Sequence, residues 1–147
     1  MTLKQESKTG HISGQTIAPD DFIAALENTS KEYKTGDTLI TALQPSTVQF
    51  RKNELTLIIG PSGSGKTTML NLIGGLDQPT SGKIIVDGTD ISTFKPDALI
   101  NFRLHHIGFV FQAYNLIPVF TAKENVEFIM LLQNIPKAER EKKAIEF

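Results

Sequence analysis

The sequence predicts an α/β fold with an N-terminal antiparallel β subdomain. Three observations support this. Apolar runs with strand-like spacing precede residue 60, amphipathic helical segments follow it, and the glycine-rich segment Gly60–Thr67 joins the two. The apolar run Leu55–Ile59 comes directly before this segment, and Thr68–Gly75 after it has helical spacing. A glycine-rich loop between a strand and a helix is typical of a core that holds phosphate groups.

The elements before the loop are short and largely strand-like. Residues 1–20 are polar and lack periodicity, which predicts a loose leader followed by one domain over 21–147. Phe22–Thr29 fits a strand or a short helix, and Tyr33–Asp37 has the composition of a turn. Two more strand-like segments before the loop are Leu39–Leu43 and Ser46–Phe50, and Lys83–Gly88 after the loop fits a short strand that leads into a turn.

The helix after the loop should present one broad apolar face and end at Gly74-Gly75. The residues of that face are Met69, Leu70, Leu72, Ile73 and Leu76. Because four of the five residues of Leu55–Ile59 are apolar, we predict a buried strand there.

The second half of the chain predicts three helices and one strand. Pro96–Leu104 fits a helix with proline in its first turn, and Ile107–Phe111 fits a buried strand. Thr121-Ala-Lys-Glu124 has the spacing of a capping box and should open a helix. A last helix is expected after Pro136.

The composition is that of a globular domain and disfavours several functions. Apolar residues make up 39% of the 147 residues and charged residues 21%, which suits a folded core. A net charge of −1 offers no basic surface, so we expect no nucleic-acid partner. The chain has no cysteine for disulfides or thiolate metal sites, and no apolar run long enough to cross a bilayer. We therefore expect membrane association only through another protein.

The glycine-rich segment has the pattern of a phosphate-binding loop, so the predicted fold is a P-loop NTPase core. Glycines let consecutive N–H groups point inward at phosphate oxygens, and the helix that follows adds its positive dipole end. Lys66 should reach the β- and γ-phosphates, and the Thr67 hydroxyl can bind Mg²⁺. The alternative is a chance match on a glycine-rich turn. The predicted nucleotide-binding residues of the segment are Gly60, Pro61, Ser62, Gly63, Ser64, Gly65, Lys66, Thr67 and Thr68.

Three segments together resemble the ATP-binding subunit of an ABC transporter, of the lipoprotein-release and macrolide-export type. They are Gly60–Asp77 with the following Pro79–Gly82, Ile107–Pro118, and Thr121–Val126. Ile107–Pro118 is similar to the family's glutamine loop. The segments agree with the family in order and spacing, and the resemblance extends from about Ile23 to the C-terminus.

The resemblance implies a role for two more residues. Tyr33 stands where the family has an aromatic residue that stacks on adenine, although by itself it could be an ordinary aromatic beside a turn. Gln112 matches the glutamine that binds Mg²⁺ or positions water, although an isolated glutamine after a strand is usually a solvated loop residue. With Lys66, Gln112 is the predicted catalytic residue, and with Thr67 it is the predicted metal ligand.

The resemblance also implies partners and a location. In the family, the ATP-binding subunit contacts a membrane-spanning transporter subunit and forms a head-to-tail dimer with a second ATP-binding subunit. The resemblance therefore implies a cytoplasmic protein that is peripheral on the inner face of the membrane. Leu116, Ile117, Pro118 and Phe120 would then form an apolar docking patch, or alternatively part of the core. Adjacent His105 and His106 point in different directions, so we expect no metal site there.

Several family motifs do not occur in this sequence, namely the serine-glycine signature, the acidic strand with its catalytic carboxylate, and the switch histidine. We therefore expect the N-terminal part of such a domain, with an incomplete parallel sheet. Two hypotheses follow: an ATPase that drives transport, or a truncated fragment that binds nucleotide or a membrane subunit without turnover. A GTPase is disfavoured because no Asn-Lys-x-Asp occurs, and a DNA-maintenance ATPase because no basic stripe occurs.

Overall fold

The computed structural model describes residues 21–146, so the predicted leader over residues 1–20 lies outside the described residues. The chain divides into two compact units, one ending at Lys95 and the other beginning at Pro96. Within the described residues, the first unit contains four strands and one helix, and the second contains three helices. The predicted α/β class is confirmed.

The first unit is built on an antiparallel sheet with the strand order β2-β1-β3-β4. The long strands β1 and β2 form a hairpin, and β3 and β4 form a short second hairpin beside β1. This sheet confirms the predicted antiparallel subdomain and shows that Phe22–Thr29 belongs to a strand. The strands span Phe22–Thr35 (β1), Thr38–Arg51 (β2), Ser81–Val86 (β3) and Thr89–Asp90 (β4).

The turn predicted over Tyr33–Asp37 is shorter than expected. Tyr33 pairs with Ile40 across the hairpin, and Thr35 pairs with Thr38, so only Gly36 and Asp37 form the turn. Gly36 adopts a φ of 61°, a conformation that two-residue hairpin turns require. The prediction was wrong at Tyr33 because cross-strand pairing outweighed the polar composition of the segment.

Helix α1 spans Lys66–Ile73 and follows the glycine-rich loop as predicted. Met69 and Leu72 are its buried side chains, and the helix ends at Gly74. Leu70 and Leu76 are exposed, so the buried face is narrower than the apolar pattern predicted. An eight-residue helix lying on one sheet buries only the positions that point at that sheet.

The core of the first unit contains residues from β1, β2, α1, β3 and the segment after β4. Beside it, β1 carries a bulge at which Gly82 of β3 passes so close to the Asn28 carbonyl that a Cβ atom would overlap it. The buried Thr29 hydroxyl donates to the Lys83 carbonyl at 2.6 Å and holds β1 to β3 there. The buried apolar residues are Ala24, Ala25, Leu26, Leu43, Met69, Leu72, Ile84, Val86 and Ile91.

The second unit contains three helices, which match the predicted positions. They span Pro96–His106 (α2), Ala122–Leu132 (α3) and Lys137–Glu146 (α4). The capping box is confirmed, because the Thr121 hydroxyl accepts from the Glu124 N–H while the Glu124 carboxylate accepts from the Thr121 N–H. None of the helices described in residues 21–146 has the length and apolar character that crossing a membrane requires.

The two buried strands predicted at Leu55–Ile59 and Ile107–Phe111 are not formed. Both segments are irregular, and most of their apolar side chains are exposed. The side chains of Leu55 and Val110 are fully exposed. A strand is stabilised by hydrogen bonds from a neighbouring strand. Within residues 21–146 neither segment has such a neighbour. No parallel strand pair therefore occurs in the described part of the chain.

Candidate functional site

The glycine-rich loop is a compact turn that leads directly into α1. Gly63 and Gly65 have φ values of 76° and 87°, in the left-handed region that favours glycine. The Ser64 N–H donates to the Pro61 carbonyl at 3.3 Å, and the Met69 N–H donates to the Gly65 carbonyl at 2.8 Å. The second bond closes the first turn of α1 directly after Gly65. The N–H groups at the start of this helix therefore have no partner within the helix and are available to an anion.

Close packing explains why Gly65 has no side chain. A Cβ atom there would lie 2.8 Å from the Ala42 carbonyl oxygen and 3.4 Å from the Leu43 Cδ1 atom, both on β2. A Cβ atom at Gly60 would lie 2.7 Å from the Ser64 hydroxyl across the loop. The loop therefore packs against β2. We call the concave backbone of Gly60–Gly65 the cradle, and it has no room for side chains at Gly60 and Gly65.

The Lys66 ammonium lies across this cradle. It donates to the carbonyl oxygens of Gly60 at 2.9 Å and Pro61 at 2.8 Å, with a longer contact of 3.5 Å to the Ser64 hydroxyl. Among residues 21–146, Lys66 forms no ion pair with a carboxylate. Its positive charge is met only by neutral oxygens, so the donor set fits a phosphate group as a further partner.

The two threonines after Lys66 occupy the first turn of α1. Thr67 is exposed and Thr68 is half-buried. The Thr67 hydroxyl is a hard oxygen of the kind that Mg²⁺ binds beside phosphates, and the first turn carries no acidic residue that would oppose an anion. The loop, Lys66 and Thr67 therefore fit a magnesium nucleotide.

Tyr33 lies in the same unit as the loop, near the C-terminal end of β1. Its hydroxyl donates to the Asp77 Oδ2 atom at 2.7 Å, and the Lys31 ammonium lies 4.9 Å from the ring centroid. This hydrogen bond, together with partial burial and the Asp77 charge, raises the pKa of Tyr33, while the Thr68 hydroxyl acts on it in the opposite sense. The phenol thus remains protonated and fixed at physiological pH.

Asp77 is the residue that joins these groups, and the sequence did not predict it. Its Oδ1 atom accepts from the Lys31 ammonium at 2.6 Å and from the Gln78 N–H at 2.7 Å. Burial by itself would raise the pKa of Asp77, but the hydrogen bonds from Lys31, Tyr33 and the Gln78 N–H outweigh it and lower that pKa. Lys31 and Tyr33 are two positions apart on a strand, so their side chains lie on the same face. This spacing was the only feature of the sequence that could have indicated the cluster.

The other predicted site residues belong to the second unit. Gln112 is exposed in a bend after the irregular segment 107–111, and its catalytic and metal-binding roles stay predictions. His105 and His106 are exposed, with His106 stacked on Phe102 at 4.4 Å. Within residues 21–146 no cluster of histidine and acidic side chains could hold a metal ion.

The predicted docking patch lies in a loop that Asn125 stabilises. The Asn125 side chain accepts from the Ile117 N–H at 2.7 Å and donates to the carbonyls of Ile117, Phe120 and Thr121. Leu116 and Pro118 are exposed, whereas Ile117 and Phe120 are half-buried. Phe120 packs edge-on against Phe128 of α3. Two of the four residues are therefore exposed, as a docking patch requires, and two are half-buried, as in a core. The partner of the patch stays a prediction.

Comparison with known proteins gives consistent results. Residues 43–147 match the sequence family described as ABC transporter. The chain is 45% identical over 119 residues to the macrolide export ATP-binding/permease protein MacB of Brucella abortus, a match that covers 81% of this chain and 18% of MacB. It is 44% identical over 124 residues to the uncharacterized ABC transporter ATP-binding protein MJ0796 of Methanocaldococcus jannaschii, covering 82% of this chain and 53% of that protein.

The fold gives the same result. The structure matches the dimeric ATP-binding cassette MJ0796 bound to ADP and Pi, with a TM-score of 0.77 at 43% identity. That match covers 84% of this chain and 54% of the cassette, so the chain spans about half the length of that relative. The resemblance to the macrolide-export type is confirmed by the MacB match. The loop geometry, the family match and the fold agree. The chain belongs to the ABC transporter family and corresponds to its ATP-binding part.

Proposed function

We propose that the chain binds ATP and Mg²⁺ as the nucleotide-binding part of an ABC transporter ATPase. The observation that carries the proposal is the position of the Lys66 ammonium across the glycine-rich cradle, where among residues 21–146 it is paired only with neutral oxygens. Backbone N–H groups at the start of α1 and the lysine charge would face the same anion. The MJ0796 cassette, similar in sequence and fold, has been captured with ADP and Pi.

Each residue has a distinct part in nucleotide binding. Lys66 would exchange the carbonyls of Gly60 and Pro61 for phosphate oxygens, which are stronger acceptors for an ammonium group. The Thr67 hydroxyl would hold Mg²⁺, which when bound offsets the negative charge of the β- and γ-phosphates. Tyr33 would stack its ring on adenine, and Gln112 would bind the metal ion or position water.

The larger setting of this site follows from the relatives. MacB is named as a fusion of an ATP-binding part and a permease, and MJ0796 forms a dimer. For this chain we propose a membrane-spanning transporter partner, a second ATP-binding subunit, and a cytoplasmic position on the inner face of the membrane. The exposed Leu116 and the neighbouring Pro118 would contribute to the surface that contacts the membrane partner.

Nucleotide binding without turnover is the second candidate function. Hydrolysis requires a group that accepts a proton from the attacking water. The loop and the first turn of α1, residues 60–68, contain no carboxylate or histidine side chain that could accept this proton. A chain with these groups would bind the triphosphate and release no phosphate.

Calorimetric titration with ATP and Mg²⁺ tests the binding proposal. Lys66→Ala should weaken ATP binding by about tenfold to a hundredfold, because a charge-assisted hydrogen bond contributes roughly 1.5–3 kcal/mol. Lys52→Ala is the matched control, since Lys52 is exposed and lies outside the loop. Equal affinities for Lys66→Ala and the unchanged chain would contradict the proposal.

Phosphate release separates the two candidates. An ATPase should release phosphate in a Mg²⁺-dependent manner and lose that activity in both Lys66→Ala and Gln112→Ala. A chain that binds without turnover should give tight titration curves with no phosphate above the Lys66→Ala background. Circular dichroism of each variant excludes unfolding as the cause.

A further inference from the structure

A polar cluster lies between β1 and the segment that follows α1. It consists of Lys31, Tyr33 and Asp77, which we call the Asp77 cluster. The Asp77 carboxylate accepts from the Lys31 ammonium at 2.6 Å through Oδ1 and from the Tyr33 hydroxyl at 2.7 Å through Oδ2. The Lys31 ammonium also donates to the Gln78 carbonyl at 2.7 Å. Both oxygens of the carboxylate are therefore engaged.

These contacts fix the orientation of the Tyr33 ring. The Tyr33 backbone is held by pairing with Ile40, and its hydroxyl is held by Asp77, so both ends of the side chain are restrained. The Lys31 ammonium lies over the ring at 4.9 Å and occupies one of its faces. Tyr33 remains 38% exposed, so part of the ring is accessible to a ligand.

The cluster also connects the ring to the phosphate-binding loop. Thr68, whose hydroxyl acts on the Tyr33 phenol, follows Lys66 and Thr67 in the first turn of α1. Asp77 lies just beyond the far end of the same helix, where its N–H donates to the Asn71 carbonyl. Through Asp77 the ring is therefore tied to the segment that follows the helix whose first residue is Lys66.

We propose that Asp77 is a positioning residue for the base of the bound nucleotide. By holding the Tyr33 hydroxyl, it sets the plane on which an aromatic base stacks, at a fixed distance from the loop that holds the phosphates. The inference rests on the proposed function, because it concerns the same nucleotide. Its ligand class is a nucleoside triphosphate with an aromatic base, as opposed to triphosphate alone.

The competing explanation is that Asp77 only stabilises the turn after α1. Its Oδ1 atom also accepts from the Gln78 N–H, an arrangement found in ordinary turns. A purely structural role would affect every ligand of the loop equally. A positioning role would affect only ligands that carry a base.

The test compares ATP with inorganic tripolyphosphate, titrated into the full chain with Mg²⁺. Asp77→Asn and Tyr33→Phe should each weaken ATP binding by about threefold to tenfold. Tyr33→Phe removes the hydroxyl that Asp77 holds, and Asp77→Asn replaces the charged carboxylate with a neutral amide, which holds the hydroxyl less strongly. Tripolyphosphate binding should change by less than about twofold. The double variant should lose no more than either single variant, because the two residues share one interaction. Asp37→Asn, in the exposed hairpin turn, is the matched control.

The outcomes separate the inference from the proposed function. An unchanged ratio of ATP to tripolyphosphate affinity in Asp77→Asn, or an equal loss for both ligands, would overturn the inference alone. Additive losses in the double variant would also overturn it. Failure of the unchanged chain to bind either ligand would overturn the proposed function as well. Should Asp77→Asn fail to fold, Tyr33→Phe decides the question, because it keeps the ring and removes only the hydroxyl.

Discussion

Gly65 is the residue at which the site depends most directly on backbone geometry. It combines a φ of 87° with a close approach to the Ala42 carbonyl. Gly65→Ala should destabilise the first unit by about 2–4 kcal/mol, because a left-handed conformation costs a residue with a Cβ atom about 1–2 kcal/mol and the contact with Ala42 adds to it. Urea denaturation followed by circular dichroism measures the loss.

Gly63 provides the control for this prediction. Its φ of 76° is similar, but a Cβ atom there would have no neighbour within 4 Å. Gly63→Ala should therefore cost only the conformational part, about 1–2 kcal/mol. Equal losses for the two variants would show that the Ala42 contact contributes nothing.

Asp77 makes the free energy of unfolding depend on pH in the acidic range. Its pKa is lowered from the ordinary value of 3.8, so its stabilising contacts are fully present above that value. They are lost as the pH falls through the lower pKa of the folded state. The free energy of unfolding should therefore decrease as the pH falls below about 3.8 and through the lower pKa of the folded state. Asp77→Asn should show a smaller decrease over this range in urea denaturation, and the same decrease would contradict the assignment.

The residues of the phosphate-binding loop could be predicted from the sequence, whereas the Asp77 cluster beside it could not. Lys66 and Thr67 are part of one continuous pattern, so spacing alone identified them. Lys31 and Asp77 are 46 positions apart, and their contact exists only because β1 and the segment after α1 pack together. A single sequence carries no signal for such a pair, whereas the capping box at Thr121–Glu124 is local and was predicted correctly.

Among the elements, α3 has the most clearly defined start. Thr121→Ala should destabilise the second unit by about 1 kcal/mol, because it removes the hydroxyl that accepts from the Glu124 N–H. Hydrogen exchange of the Glu124 amide should accelerate accordingly. The same substitution at the exposed Thr93 is the matched control. Equal effects at the two threonines would contradict a capping role.

The strands show where element prediction succeeds and where it fails. Phe22–Thr35 and Thr38–Arg51 are joined by a two-residue turn, so their partners are close in sequence. Leu55–Ile59 and Ile107–Phe111 are equally apolar, yet neither is a strand. Apolar patterning reports a tendency to be buried, and a strand forms only where a neighbour supplies the hydrogen bonds.

For the whole molecule, the two irregular apolar segments predict self-association. Leu57 is 81% exposed and Val110 is fully exposed, and each belongs to a run of apolar residues. Burying one such side chain between molecules contributes roughly 1.5–3 kcal/mol. Leu57→Lys and Val110→Lys should therefore each weaken association by about tenfold or more, measured by analytical ultracentrifugation across a concentration series.

Ile145 is the control for this prediction. It is 79% exposed on α4, a predominantly charged helix, and lies outside any apolar run. Ile145→Lys should leave the association unchanged. An effect as large as that of Leu57→Lys would mean that any exposed apolar side chain promotes association, and that the two segments have no special part in it.

The environment of Tyr33 has a spectroscopic consequence. The chain contains two tyrosines and no tryptophan, so its intrinsic fluorescence comes from Tyr33 and Tyr114. Tyr114 is 94% exposed and lies in the second unit, whereas Tyr33 donates to a carboxylate and is the proposed stacking partner of the base. In Tyr114→Phe all of the emission would arise from the ring on which the base is proposed to stack. The chain thus carries its own optical probe, and nucleotide binding can be followed without a label.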